Sequence, residues 1–187
     1  THGGVTKTNS HPHWDCKNNI FTVHNGIIEN YQELKNELIS KGHIFITETD
    51  SEVISHFLEE ELKSKNMMDA IKSFINRIEG TYAILVIEKG INKIYAIKKD
   101  SPLVLGIGKD RFYLASDIYA FSDSTNKAIF FEDGEFAVID PDKVIDIDSI
   151  VLNIVIESVK INDSILTEKN ILEKTASNDR IEIQYAA

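Results

Sequence analysis

An Asn-Gly pair and a later acidic segment are the parts of this sequence best suited to chemistry. Asn25-Gly26 follows an apolar run, and Asp50 lies within the segment 47–53 at the start of a helical pattern. An Asn side-chain amide and a Gly backbone N–H can converge on a developing oxyanion, where the loss of one donor typically slows an enzyme by about 10²–10³. A carboxylate such as Asp50 can accept a charge-assisted hydrogen bond from an ammonium group. The two elements would therefore supply donors for an oxyanion and an acceptor for an ammonium.

Both elements also have purely structural interpretations. Asn-Gly is the preferred pair of type I′ hairpin turns, and an acid in the first turn of a helix stabilises the helix dipole by roughly 0.3–1 kcal/mol. The segments around Asn25-Gly26 do not form two matched alternating patterns, because a strand pattern leads into a helix pattern. Residue types alone leave both interpretations open.

The sequence offers few candidate nucleophiles and no recognisable set of spaced metal ligands. Thr1 could act as a nucleophile with its own α-amine as base, but a single terminal Thr is more simply the place where the sequence starts. Cys16, the single cysteine, lies in a polar stretch without an adjacent base and is predicted to be an unreactive loop thiol. His11-Pro12-His13 lacks a spaced set of partner ligands. We therefore expect loop packing there, no metal and no cofactor.

Composition narrows the function classes. The 187 residues carry a net charge of −10, and a negative field disfavours binding to nucleic acid. The sequence has no apolar run of the roughly 18 residues that a membrane span needs, and residues 1–4 lack the pattern of a signal peptide. A single Cys fits a reducing compartment. The expected protein is cytoplasmic and binds neither nucleic acid nor membrane.

Apolar periodicity predicts helices in the first half and strands in the second. The predicted elements are a strand over 19–24, a helix from Tyr31 to a stop at Gly42, a strand over 43–47, a helix after the capping-box pattern Thr49-x-x-Glu52, and a helix over 68–78. Short strands follow at 83–87, 93–97, 103–107, 112–115, 128–131, 135–139 and roughly 149–156, with a helical turn over 117–121. This pattern predicts an α+β fold with a largely antiparallel sheet.

Several motifs together resemble a known family. They are Thr1-His2-Gly3, Asn9-x-His11-Pro12-His13, Val23-His24-Asn25-Gly26-Ile27-Ile28-Glu29-Asn30, Glu48-Thr49-Asp50-x-Glu52-Val53, Gly80-Thr81-Tyr82-Ala83, Ser101-Pro102-Leu103-Val104, Ala115-Ser116-Asp117 and Glu132-Asp133-Gly134-Glu135. Their order and spacing resemble the class II glutamine amidotransferase domain over residues 1–140. The full string around Asn25 favours members of this family that act on a sugar phosphate.

The resemblance implies an Ntn-hydrolase fold, an αββα sandwich, here without its N-terminal strands. In this family an N-terminal Cys attacks the side-chain amide of L-glutamine and releases ammonia. The resemblance assigns Asn25 and Gly26 to the oxyanion hole and Asp50 to the acceptor for the substrate α-ammonium. It places Thr1 and His2 along the glutamine pocket.

Two features of the family precede Thr1-His2-Gly3 and are not in this sequence: the nucleophilic Cys and an Arg that binds the substrate carboxylate. We therefore expect the chain alone to be inactive. Residues 141–187 have no assigned role, and the expected partners are L-glutamine, a sugar-phosphate isomerase domain outside this sequence and a second copy in a homodimer. The alternatives are a non-catalytic glutamine-binding or partner-interaction module and a Thr1-dependent Ntn hydrolase.

Overall fold

Residues 3–140 and three two-residue strands further along the chain are described by the computed structural model. They fall into two units, which divide between Ile91 and Asn92. The division predicted between residues 140 and 141 remains a prediction.

The first unit combines three helices with three antiparallel strands. Its elements are β1 (His13–Trp14), β2 (Ile20–Ile28), α1 (Tyr31–Ser40), α2 (Glu52–Glu61), α3 (Met67–Ile75) and β3 (Gly80–Glu88). Within this unit β2 pairs with β1 on one side and with β3 on the other. The pairing with β3 runs from Ile20 opposite Glu88 to Ile28 opposite Gly80.

The core of this unit lies where the helices meet one another and β2. Each helix buries an apolar stripe at helical spacing, represented by Leu34 of α1, Ile54 of α2 and Phe74 of α3. Polar contacts fix α2 on the strand, since the Thr22 and Ser55 hydroxyls lie 2.8 Å apart and both are buried. The N-terminal end of α2 is thereby held against β2.

The second unit is built mainly from short antiparallel strands. Its elements are β4 (Ile94–Lys99), β5 (Val104–Ile107), β6 (Phe112–Ala115), a 3-10 turn (Ile118–Ala120), β7 (Lys127–Phe130), β8 (Phe136–Ile139), β9 (Lys160–Ile161), β10 (Ser164–Ile165) and β11 (Ile183–Gln184). Strand β4 pairs with β8, β5 lies between β6 and β7, β11 pairs with β7, and β9 pairs with β10.

The predicted α+β class is confirmed, and four local predictions were wrong. Strand β2 continues through Asn25-Gly26 to Ile28, because β3 supplies a partner at every position. Residues 43–47 form no strand, since the Glu52 carboxylate accepts the Ile46 and Thr47 N–H groups at 2.8 Å each.

The capping box predicted from Thr49-x-x-Glu52 does not form, because the Glu52 carboxylate accepts the N–H groups of residues 46 and 47 instead. Ser51 precedes α2 and makes no capping hydrogen bond with its side chain. The third helix ends at Ile75 rather than Ile78. The strand predicted over 149–156 lies outside the described residues.

Candidate functional site

Asn25-Gly26 lies inside a strand rather than in a hairpin turn. Asn25 is opposite Ala83 and Gly26 is opposite Tyr82 in β3. Gly26 has a φ of +134°, a backbone conformation that residues with a side chain rarely adopt. The Asn25 side chain lies on the exposed face of β2. The interpretation of this pair as a type I′ turn is therefore wrong.

The register of β2 decides which of its N–H groups face β3. The Glu29 N–H donates to the Glu79 carbonyl at 2.8 Å, and the Lys89 N–H donates to the Asn19 carbonyl at 2.7 Å. Because hydrogen-bonded pairs alternate along an antiparallel ladder, the odd-numbered residues of β2 bond to β3. The even-numbered N–H groups point to the opposite edge, which β1 covers only at Phe21 and Thr22.

Side chains accept two of the N–H groups at that edge. The His24 N–H donates to His11 Nε2 at 3.4 Å, and the Ile28 N–H donates to Asp50 Oδ2 at 2.8 Å. The Gly26 N–H lies between them and points to the same edge, since Gly26 is an even-numbered residue of β2. Gly26 therefore presents a backbone donor beside a carboxylate, as an oxyanion hole beside an ammonium acceptor would require.

Asp50 lies just before α2, not in its first turn, and its side chain is fully buried. The neighbouring Ser51 Oγ lies 2.9 Å from Nδ1 of His24, which is also buried. Burial lowers the pKa of His24 to about 4, against the opposing effect of the nearby Asp50 carboxylate. The imidazole is therefore neutral at pH 7 and adds no positive charge beside Asp50.

The loop near the start of the chain is fastened to the segment that carries Asp50. The Glu48 N–H donates to Asn9 Oδ1 at 3.1 Å, and the Asn9 amide donates to the Gly4 carbonyl at 2.8 Å. The Gly4 N–H lies 3.4 Å from a Glu48 carboxylate oxygen. These contacts hold residues 3–4 next to residues 48–50.

The structure thus brings together three of the five predicted site residues: Asn25, Gly26 and Asp50. Thr1 and His2 lie outside the described residues. Sequence reasoning missed the parts played by His24 and Glu48, although the quoted motifs contain both. Their contacts join residues 27 and 39 positions apart, which no local pattern reveals.

Comparison with known proteins identifies the family. A model of the glutamine amidotransferase domain matches residues 5–123. The chain belongs to the glutamine amidotransferase domain family. The resemblance read from the motifs is confirmed, and the matched region contains Asn25, Gly26 and Asp50.

Several curated relatives of this amidotransferase domain share a name. Glutamine–fructose-6-phosphate aminotransferase (isomerizing) from Methanocaldococcus jannaschii is 52% identical over 146 residues, which cover 74% of this chain and 13% of the relative. The protein of the same name from Thermococcus kodakarensis is 46% identical over 147 residues, which cover 78% of this chain and 24% of the relative. The chain therefore spans a quarter or less of these relatives.

Solved structures confirm the Ntn-hydrolase type of fold. The structure titled as the allosteric regulatory enzyme of purine biosynthesis matches 73% of this chain and 30% of its own, at a TM-score of 0.63 and 25% identity. The glutamine phosphoribosylpyrophosphate amidotransferase of B. subtilis, complexed with ADP and GMP, matches 75% of this chain and 32% of its own, at a TM-score of 0.62 and 26% identity. Within the part of the chain that the structure describes, no helix is long and apolar enough to span a membrane.

Proposed function

We propose that Asn25, Gly26 and Asp50 form the substrate site of a glutaminase. The Asn25 amide and the Gly26 N–H stabilise the oxyanion that forms on the glutamine side chain, and Asp50 accepts the α-ammonium group. The observation that carries this proposal is the open edge of β2, where the Gly26 N–H lies beside the Ile28 N–H that orients the Asp50 carboxylate at 2.8 Å. A donor for one end of glutamine thus lies next to an acceptor for the other.

The spacing along β2 fits the length of glutamine. Two N–H groups two residues apart on one strand edge are separated by about 6.8 Å. Four bonds of about 1.5 Å connect the α-nitrogen of glutamine to its side-chain amide carbon, so the extended molecule spans about 5 Å between them. An amide oxygen at Gly26 would therefore leave the ammonium within hydrogen-bonding reach of the Asp50 carboxylate.

Thr1 and His2 complete the pocket in this proposal. The contacts of Gly4 and Asn9 with Glu48 support it, because they hold the residues that follow His2 close to Asp50. A segment fastened in this way is well placed to contact the α-carbon end of the substrate.

The reaction needs a thiol that Cys16 does not provide. Cys16 precedes the start of β2, where the Asp15 carboxylate accepts the Ile20 N–H at 3.0 Å. Gly26 lies six positions further along this strand, about 20 Å away. We therefore propose that the nucleophilic Cys comes from outside this sequence. Its thiolate would displace ammonia from the glutamine amide, and water would hydrolyse the thioester to glutamate.

The names of the relatives suggest the acceptor of the ammonia. We propose that it passes to a sugar phosphate, fructose 6-phosphate, on a partner isomerase domain, giving glucosamine 6-phosphate. The support is the match to proteins called glutamine–fructose-6-phosphate aminotransferase at 46–52% identity. The conversion belongs to the larger protein, since this chain spans only part of those relatives.

Ammonia release from L-glutamine tests the proposal when two forms are compared. One is the chain itself, and the other is extended at its N-terminus by the segment that precedes the matched region in the Methanocaldococcus relative. We expect release only by the extended form, and its abolition when the Cys of the added segment is replaced by Ala. Equal activity of the two forms would contradict this assignment of the nucleophile.

A Thr1→Ala variant separates the proposal from a Thr-dependent hydrolase. The extended form should release ammonia with or without the Thr1 hydroxyl, apart from a modest change in KM. If Thr1→Ala abolished a release that the unextended chain carries out, the nucleophile would be Thr1.

A further inference from the structure

Four side chains with metal-binding atoms converge at a place distinct from Asn25-Gly26. Cys16, His43, His56 and Glu59 each direct one ligand atom to a common centre, and these atoms all lie within 4.8 Å of one another. Cys16 precedes β2, His43 follows α1, and the other two lie one turn apart on α2. The three positions with buried side chains are His43, His56 and Glu59.

The distances match the edges of a tetrahedral zinc site. With Zn–N near 2.05 Å and Zn–S near 2.3 Å, tetrahedral angles separate two nitrogen or oxygen ligands by about 3.4 Å and a sulfur from a nitrogen by about 3.6 Å. The Cys16 Sγ lies 3.5 Å from His56 Nδ1 and 3.8 Å from His43 Nδ1. The Glu59 Oε2 lies 3.1 Å from His43 Nδ1 and 3.7 Å from His56 Nδ1. Four of the six edges thus lie close to the ideal lengths.

The outer nitrogen of each imidazole faces a carboxylate. His43 Nε2 lies 2.9 Å from Glu60 Oε2, and His56 Nε2 lies 3.5 Å from Glu52 Oε1, a looser contact. Metal-binding histidines commonly donate their second N–H to a carboxylate, which fixes the tautomer and leaves the other nitrogen to bind the metal. Both imidazoles are therefore oriented with Nδ1 toward the centre.

Backbone N–H groups support the two anionic ligands. The Ile44 N–H lies 3.4 Å from the Cys16 Sγ, and the Cys16 N–H donates to Glu59 Oε2 at 3.1 Å. With Nε2 protonated on both histidines, the centre holds two nitrogen lone pairs, a carboxylate oxygen and a sulfur. The thiol proton alone cannot serve all of these acceptors. A cation at the centre would serve all four.

We propose that Cys16, His43, His56 and Glu59 bind one Zn²⁺ ion in a tetrahedral site. A ligand set of one thiolate, two imidazoles and one carboxylate suits this borderline-soft ion and not Mg²⁺ or Ca²⁺, which prefer oxygen ligands. Four protein ligands close the coordination sphere, which is typical of a structural site.

The site would join three segments that are separate in sequence. It fastens the loop before β2 and the segment after α1 to the middle of α2. The N-terminal end of α2 follows Asp50 directly, so the ion would also hold the helix that positions this carboxylate. The expectation of no metal rested on the His11-Pro12-His13 group, and this cluster uses none of those residues.

Cobalt substitution tests the site directly on the tag-free chain. Tetrahedral Co²⁺ with a thiolate ligand gives visible d–d bands and a sulfur-to-metal charge-transfer band. Because Cys16 is the only cysteine, that band can come from no other thiol. We expect one equivalent of Co²⁺ to produce both features and one equivalent of Zn²⁺ to remove them. Their absence at saturating Co²⁺ would overturn the proposal.

Variants identify the ligands. Cys16→Ser removes the thiolate at an exposed position and should weaken Zn²⁺ binding at least tenfold, measured by competition with a chromophoric chelator. Glu59→Gln should also weaken binding, whereas Glu61→Gln, a matched change on the same helix, should not. Equal affinity of wild type and Cys16→Ser would show that Zn²⁺ binds elsewhere and would overturn the site. Circular dichroism of each variant checks the fold.

Discussion

Replacing Asp50 with Asn gives the sharpest test of how the proposed site recognises its ligand. Asn has nearly the same shape, and its side-chain oxygen can still accept the Ile28 N–H that Asp50 Oδ2 accepts at 2.8 Å. The change removes the negative charge and directs an NH₂ group toward the ammonium. Asp50→Asn should therefore lose the ion pair while keeping the local backbone.

The expected loss follows from the burial of this carboxylate. A hydrogen bond to a charged group contributes about 1.5–3 kcal/mol, which corresponds to a factor of about 10–150 in affinity. Asp50 is fully buried, so salt and water screen its charge little. We therefore expect the dissociation constant for L-glutamine to rise toward the upper part of that range.

The assay compares two ligands by calorimetry. One is L-glutamine, and the other is glutaramate, which is glutamine without its α-amino group. Wild type should prefer glutamine, and Asp50→Asn should bind the two with nearly equal affinity. Asp123→Asn, at an exposed aspartate, is the control and should keep the preference. If Asp50→Asn weakened both ligands equally, Asp50 would act through the fold and the assignment would be refuted.

Three further predictions concern β2 and its partner strand. Asn25→Ala should lower kcat for ammonia release in the extended form by a factor of about 10²–10³ and leave the melting temperature unchanged, since the side chain is exposed. The control Asn126→Ala should change neither kcat nor the melting temperature. The pKa of His24 is about 4 in the fold and about 6.5 in the unfolded chain, so the free energy of unfolding should fall by at most about 3 kcal/mol as the pH drops from about 6.5 to about 4. Denaturation of His24→Gln at pH 7 and pH 4.5 should show a smaller loss of stability than wild type, and an equal loss would contradict the assignment. Gly80→Ala should destabilise the fold by at least about 1–3 kcal/mol, because φ is +122° and a Cβ would lie 2.1 Å from a backbone carbonyl oxygen. The control Gly90→Ala, where φ is +83° and the space around it is open, should lower the melting temperature less.

Local sequence patterns predicted the fold class and most elements because apolar periodicity acts over short distances. Strand β6 has the predicted bounds, and α1 ends before Gly42 as expected. The segment 43–47 was mispredicted as a strand because it carries the short apolar run Ile44-Phe45-Ile46, which is rich in residues that favour strands. The Ile46 and Thr47 N–H groups are instead accepted by the carboxylate of Glu52, which follows in the sequence. A side chain that accepts backbone N–H groups in place of a neighbouring strand produces no periodic pattern in the sequence.

The candidate site shows the same limit. Motif resemblance selected Asn25, Gly26 and Asp50, but it could not show that the Ile28 N–H joins β2 to Asp50, because that contact spans 22 positions. The Cys16 cluster was missed for the same reason. Its one local signal is the pair His56 and Glu59 at helical spacing, and the other two ligands arrive from distant segments.

A titration of the ¹⁵N-labelled chain with L-glutamine, followed by amide chemical shifts, shows directly whether glutamine binds at Asn25 and Gly26. We expect the Gly26 backbone amide and the Asn25 side-chain NH₂ to shift together and saturate, with D-glutamine much less effective. Glutamine that binds and shifts other resonances while leaving these two unchanged would place the substrate elsewhere and contradict the proposed site.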